Sequence, residues 1–370
     1  MNFYNDTIEQ KLDHFNDHDE RVFKQDYHYS IDLNSKIVFL YLSGEKTLNK
    51  SAGILSGQIP NSIPLSYFNL IHRFYGNSLP ELVLPYCRCF YSGTIAALAR
   101  QQFPLLIKGA VAVSAPLKAS LYIDFMDAVI EKMKAIDENK TIQIQNAIET
   151  YYNYTATFEG QEYLGYLLGD DYILSINETE CYPEFYDPTK FFADAIQDGT
   201  IVEFFEKWND ENFETFMELI VDIGKYKKFE KSEGHHQQKL WQHQLCTEFG
   251  YFRTTSSQKS LDFFGDSIPK ICPELICDQF EKDVFLNAEY TFEDSTSGVE
   301  KTNQLFGAPE KFNATNLIFI IPEFDPWIST FLLETENLGI EIIFSDNQFH
   351  CGVDKKSTEK WISSVLKWIN

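Results

Sequence analysis

Apolar residues fall along this chain in two textures. The run Ile37-Val38-Phe39-Leu40-Tyr41-Leu42 is short and continuous and ends at Ser43-Gly44, the pattern of a strand covered on both faces. Tyr67 to Ile71, Gly109 to Val113, Leu317 to Ile321 and Ile340 to Phe344 repeat that texture. Ser92 to Phe103 differs: Ile95, Leu98, Ala99 and Gln102 follow helical spacing, and Pro104 stops the helix. Strand, helix, strand in this order predicts that 67–71 and 109–113 pair in parallel as one βαβ unit. From about residue 120, Phe125, Ala128, Val129 and Met133 open a series of helix-period segments that runs towards 225 with few strand signals. A last amphipathic helix carries Trp361, Val365, Trp368 and Ile369 on one face. The expected fold class is α/β. Residues 1–119 and 301–370 supply the sheet, and 120–300 form a mainly helical insertion over the carboxyl ends of its strands.

Composition narrows the function classes. At 370 residues the chain can bury one large core plus an inserted unit. Phe is abundant (32) and Met rare (4), which predicts aromatic-filled cores and clefts. The formal charge of −24, from 31 basic and 55 acidic residues, repels nucleic acid and anionic membranes, and the acidic residues are scattered as on a solvated surface. No stretch approaches the roughly 18 apolar residues of a membrane helix. The N-terminus MNFYNDTIEQ does not read as a signal peptide. Two features nonetheless point to the secretory pathway: six N-x-[ST] sequons, at Asn5, Asn49, Asn139, Asn153, Asn177 and Asn313, and seven cysteines. The clustering of Cys246 with Cys272 and Cys277 predicts a disulfide there. Nothing calls for a cofactor. Adjacent His235 and His236 read as solvated loop residues, and Cys87-Arg88-Cys89 is too little for a metal site.

Two residues stand where a hydrolytic sheet enzyme keeps its chemistry. Asp325 lies just past the run from Leu317 to Ile321, and His350 just past Phe344. A carboxylate after a late strand can orient an imidazole that follows the last one, and that imidazole can act as a base.

The surrounding residues carry a resemblance. Ile321-Pro322-Glu323-Phe324-Asp325-Pro326-Trp327 resembles the acid loop, and Phe349-His350-Cys351 the His loop, of the lysosomal Pro-X carboxypeptidase and dipeptidyl-peptidase family of serine exopeptidases. Leu12-Asp13-His14-Phe15-Asn16, His72 to Pro80, Trp241 to Thr254 (WQHQLCTEFGYFRT), Thr302-Asn303 and Gly307 also resemble that family's segments, in the same order. The resemblance implies an α/β-hydrolase sheet with a helical lid, and cleavage of short peptides at proline. It implies Asp325 and His350 as catalytic residues, peptides as substrates or ligands, and secretion or delivery to lysosomes. It leaves a homodimer open.

One segment departs from the pattern. The family reads Gly-Gly-Ser-Tyr-x-Gly where this chain has Arg88-Cys89-Phe90-Tyr91-Ser92-Gly93, which puts Phe90 in the position of the nucleophilic serine. Ser92 reads as an N-cap-type serine at the helix start. Cys89, one position early, is expected on the opposite side of a strand from residue 90, although a Cys–His nucleophile is chemically conceivable. The family also carries a crossover before this point that residues 74–82 are too few to supply, and Ser43-Gly44-Glu45-Lys46 departs from its Gly-Gly-Glu-Gly loop. The expectation is an exopeptidase by descent that is inactive as written. The alternatives are a non-catalytic peptide-binding homologue, a truncated gene model, and another α/β-hydrolase, which the Cys-Thr-Glu-Phe-Gly-Tyr and Asp-Pro-Trp segments disfavour.

Overall fold

The computed structural model describes residues 3–11, 20–35, 37–42, 65–71, 89–168, 187–209, 211–225, 241–268, 277, 291–306 and 312–369. Leu12–Asn16, Ser43–Lys46, Asn49, His72–Pro80, Cys87, Arg88, Asn177, His235, His236, Cys272 and Gly307 lie outside them.

The sheet elements begin with an antiparallel hairpin, β1 (Tyr4–Lys11) and β2 (Val22–Ser30). It is joined to β4 (Ser66–Leu70) and β3 (Val38–Leu42) in the order β1-β2-β4-β3, with β3 and β4 parallel. The sequence pattern did not announce this hairpin. Tyr4–Lys11 reads YNDTIEQK and is exposed along nearly its whole length, so alternation is absent and the strand is held by backbone pairing.

A second sheet runs β5 (Ala110–Val113), β8 (Leu317–Pro322), β9 (Ile340–Ser345), all parallel. Every residue of β8 is buried, as a strand covered on both faces requires. The expected pairing of 67–71 with 109–113 is not formed: β4 bonds β2 and β3, while β5 bonds β8. The helix between them, α1 (Tyr91–Gln102), instead packs against both sheets, touching β3 and β5. Its approach to β5 is close. A Cβ at Gly93 would stand 2.9 Å from the Val113 carbonyl oxygen, so a side chain there would push the helix away.

From residue 120 onward the described elements are mainly helical: α2 (Phe125–Ile136), α3 (Glu138–Thr155), α4 (Phe158–Leu168), α5 (Pro188–Asp198), α6 (Ile201–Lys207), α7 (Phe213–Lys225), α8 (Gln258–Phe264) and α9 (Phe292–Phe306). Two strands, β6 (Ser120–Ile123) and β7 (Gly250–Arg253), pair with each other and with neither larger sheet. Each has four residues and finds its partner about 130 positions away, so no local period marks them. Helix α9 runs through residue 300, so a division of the chain there cuts it.

The helical region has an aromatic core, which accounts for much of the Phe content. Phe192, Phe204 and Phe216 are fully buried, with ring centroids 5.2 Å (Phe192–Phe204) and 5.8 Å (Phe204–Phe216) apart, and Trp208 lies 5.3 Å from Phe216. Helix α5 shows how its ends are set. Asp187 accepts from the backbone N–H groups of Thr189 and Lys190, Pro188 occupies the first turn, and Gly199 (φ +87°) ends the helix in the left-handed region. The chain closes with α10 (Lys355–Ile369), whose Trp361 is buried. No helix of the described residues is long and apolar enough to cross a membrane.

Cys246 and Cys277 are disulfide-bonded, with Cα atoms 5.6 Å apart, in a small cluster with Phe252. The sequons at Asn5, Asn139, Asn153 and Asn313 are all exposed. Two outcomes follow. Cys277→Ser should lower unfolding stability by about 2–4 kcal/mol, read by urea denaturation without reductant. Phe204→Ala should cost about 3–5 kcal/mol on the same measurement, because its fully buried ring leaves a cavity among neighbours too tightly packed to collapse.

Candidate functional site

Asp325 and His350 are delivered by the neighbouring parallel strands β8 and β9. Beyond the last registered pair, Pro322 with Ser345, the two loops remain laced together. Glu323 N–H donates to the Ser345 carbonyl (3.0 Å), Phe324 N–H to the Gln348 carbonyl (2.8 Å), and Asn347 N–H to Glu323 Oε2 (2.7 Å). Asp325 is fully buried. Its Oδ1 accepts from the Trp327 N–H at 3.0 Å, and its Oδ2 lies 2.8 Å from His350 Nδ1. A carboxylate can only accept, so the Nδ1 proton is on the imidazole, and Nε2 is left as the outward-facing nitrogen. Lys132, half-buried on α2, adds a charge nearby. Burial pulls its ammonium below the usual lysine range, while Asp325, Glu131 and Glu323 pull it back up.

What faces Nε2 is set by the start of α1. Phe90 is the residue before the helix and has φ 64°, ψ −108°, a conformation rare for any residue with a side chain. Its N–H donates to the Val113 carbonyl (3.3 Å) and its carbonyl accepts from the Thr94 N–H (3.1 Å). The turn is thus pinned to β5 on one side and to α1 on the other. Thr94 Oγ1 reinforces it by donating to the Pro116 carbonyl (2.7 Å). A tight, pinned helix start of this kind is similar to the sharp turn on which hydrolases present a nucleophile.

The side chain on this turn is a phenyl ring. Its centroid lies 5.4 Å from the His350 ring and 4.4 Å from Trp327, with Trp241 at 5.6 Å and Tyr251 at 6.2 Å. Phe90 is itself buried, so the rings fill the space above the imidazole. Tyr251 is buried too. Its hydroxyl has no hydrogen-bond partner among the described residues, and burial pushes the phenol well up. Sequence reasoning quoted Trp241 and Tyr251 only as part of WQHQLCTEFGYFRT and assigned them no place. The aromatic density of that segment was the available signal.

Ser92 and Cys89, the two substitutes near the nucleophile position, have different fates. Ser92 is in the first turn of α1 and is not the N-cap, which is Phe90. Its buried hydroxyl donates to the Cys89 carbonyl at 3.2 Å and does not bond His350. Cys89 corrects an expectation. Strand alternation puts it on the side opposite residue 90, but its Sγ lies 4.0 Å from His350 Nε2 and is disulfide-bonded to Cys351. Alternation holds only while the backbone stays extended, and the positive φ at Phe90 ends it there. Cys89, His350 and Cys351 also form a group of metal-ligand type, whose donor atoms lie within 4.8 Å of one another.

The helical region touches both loops of the site. Trp327 Nε1 donates to Gln197 Oε1 of α5 (3.0 Å), and Phe125 of α2 packs edge-on against Trp327 at 5.0 Å. Gly199, at the end of α5, is so close to Phe349 that a Cβ would stand 2.8 Å from its ring.

Comparison with known proteins is consistent with this geometry. The serine carboxypeptidase S28 family matches residues 10–84, 87–204 and 193–360. Two Caenorhabditis elegans proteins, each named a putative serine protease, are similar over most of the chain. One is 22 % identical across 95 % of this chain and 83 % of its own length, and the other 20 % identical across 86 % and 73 %. The first comparison spans 428 positions, more than the 370 residues of this chain, so that relative carries stretches this chain lacks. The family is built on an α/β-hydrolase sheet with a helical lid, and by the extent of this match the chain belongs to the serine carboxypeptidase S28 family.

Proposed function

We propose that this chain descends from exopeptidases that cleave short peptides at proline, and that as written it is not a functioning serine peptidase. The observation that carries the reading is Phe90, which has the backbone of a nucleophile turn and stands against the Asp325–His350 pair without an oxygen. In the parent chemistry a serine hydroxyl gives its proton to Nε2 and attacks the peptide carbonyl. Asp325 holds the imidazole and stabilises its charge, and backbone N–H groups at the start of α1 receive the oxyanion. Here the base and its orienting carboxylate remain, but no hydroxyl stands at residue 90. The Phe90 ring also occupies the volume where a scissile carbonyl would lie. Serine loss from such a triad typically costs on the order of 10⁶-fold in turnover.

The same reading assigns residues 120–300 as a lid that confines substrates to peptide ends, and the secretory pathway as the protein's location. The Cys246–Cys277 bridge and the exposed sequons favour that location. A second reading has its own support. The family match breaks between residues 84 and 87, shortly before Phe90, in the stretch that sequence reasoning expects to be too short for the family's crossover. A transcript that restores a helix and Gly-x-Ser-x-Gly in that stretch makes the natural product an active peptidase. Sequencing the transcript across residues 76–95 separates the two.

The expected result for the chain as written is no prolyl-peptide cleavage above background and no labelling by a fluorophosphonate probe, with folding verified by circular dichroism. Labelling at Ser92, or turnover that His350→Ala abolishes, would overturn the reading. Phe90→Ser alone should restore no activity if the short crossover matters, and should cost about 3 kcal/mol of stability through lost packing against Trp327.

A further inference from the structure

The sulphur chemistry around His350 belongs to no serine-peptidase mechanism. Cys89 and Cys351 are 262 residues apart in sequence, yet their Cα atoms are 5.8 Å apart and their sulphurs are bonded. One residue immediately precedes Phe90 and the other immediately follows His350, so the bond ties the two halves of the site together. The two sulphurs are not equivalent. Cys89 is buried at 4 % exposure, and Cys351 is only half-buried. His350 Nε2 faces Cys89 Sγ at 4.0 Å, while Asp325 holds Nδ1 at 2.8 Å. Among the described residues the other bridge, Cys246–Cys277, has no comparable arrangement: it packs among Phe252, Leu121 and Phe292, with the Ser295 hydroxyl 3.7 Å from Cys277 Sγ. A structural cross-link has no use for an imidazole aligned on one of its sulphurs, whereas in a disulfide that opens and closes such an imidazole gives and takes the proton of the buried thiol.

We propose that Cys89–Cys351 is a redox-active dithiol/disulfide centre that exchanges with thiols and disulfides of the glutathione class, with His350 as the acid–base group for Cys89. The proposal goes beyond the peptidase reading and does not rest on it. In reduction, an external thiol gives its proton to Nε2 and attacks Cys351 Sγ, the more accessible sulphur, as the thiolate. The Cys89–Cys351 bond breaks, and its electron pair leaves on Cys89 Sγ, which takes a proton from Nε2. A second external thiolate then attacks the external sulphur of the mixed disulfide. Cys351 is released as a thiolate, which takes the proton the second reagent thiol gave up, and the two reagent sulphurs are joined, so one disulfide is consumed and one is formed. Reoxidation runs the same path backwards. Cys351 thiolate attacks glutathione disulfide and expels one glutathione. Nε2 then removes the proton from Cys89, whose sulphur closes on Cys351 and expels the second. The N-terminus of α1, which starts two residues after Cys89, favours the thiolate formed there. Asp325 acts through the imidazole and is a positioning residue.

The test uses the full chain, with each state read by differential alkylation and mass spectrometry. Dithiothreitol should open Cys89–Cys351 in the folded protein while Cys246–Cys277 stays closed. Glutathione disulfide, added after the reductant is removed, should return the wild type to the closed bridge with no lasting adduct. Cys89→Ala should stop at a glutathione adduct on Cys351. His350→Gln, with both cysteines present, should accumulate that adduct and resolve it at least about tenfold more slowly, and Asp325→Asn should shift resolution the same way. A merely structural role for His350 would leave the resolution rate unchanged, and that result in a folded variant overturns the proposal. So does a wild-type bridge that opens only when the protein unfolds, an arm that needs no variant. Peptidase assays read carbonyl cleavage and these arms read sulphur masses, so either reading can fail alone.

Discussion

The lacing of the β8 and β9 loops is the constraint on which the rest of the site depends. Two parallel strands with Pro322 opposite Ser345 end side by side, and three further hydrogen bonds extend their contact past the sheet. This contact sets Asp325 beneath His350 although 25 residues separate them. A buried carboxylate is costly unless its oxygens are satisfied. Here the Trp327 N–H takes one oxygen and the imidazole the other. The imidazole bond selects the tautomer and turns Nε2 towards the start of α1, and the Trp327 bond orients Trp327 for its contacts with Phe90 and α5.

The start of α1 meets this pair as a tightly held turn. The positive φ at Phe90 costs on the order of 1–3 kcal/mol and persists only where neighbours over-determine it. The neighbours are identifiable: β5 takes the Phe90 N–H, Thr94 closes on its carbonyl, and Gly93 lets the helix lie against Val113. This turn presents an aromatic ring to His350, and His350 Nε2 faces the Cys89 sulphur. The helical region reinforces the arrangement from outside. Gln197 and Gly199 of α5 touch the acid loop and the His loop respectively, so displacing α5 would disturb both at once.

The sequence by itself determined the elements whose signal is local. Continuous apolar runs marked β3, β5, β8 and β9, but only β8 is buried at every position, while Val38 and Leu40 of β3 and Phe344 of β9 are exposed. Helical spacing marked α1, α2 and α10, because each buries one face. The placement of Asp325 and His350 after late strands was legible for the same reason. Tertiary structure alone decided the rest. Strand β1 is exposed and polar, so its pairing with β2 is what identifies it. Strands β6 and β7 meet across about 130 residues, a distance no periodicity spans. The side to which Cys89 turns, its bond to Cys351 and the closing of Trp241 and Tyr251 around Phe90 depend on one backbone angle at residue 90 and on contacts between segments far apart in the chain. Pattern in a sequence records which face of an element is buried, and it carries no record of which distant element buries it.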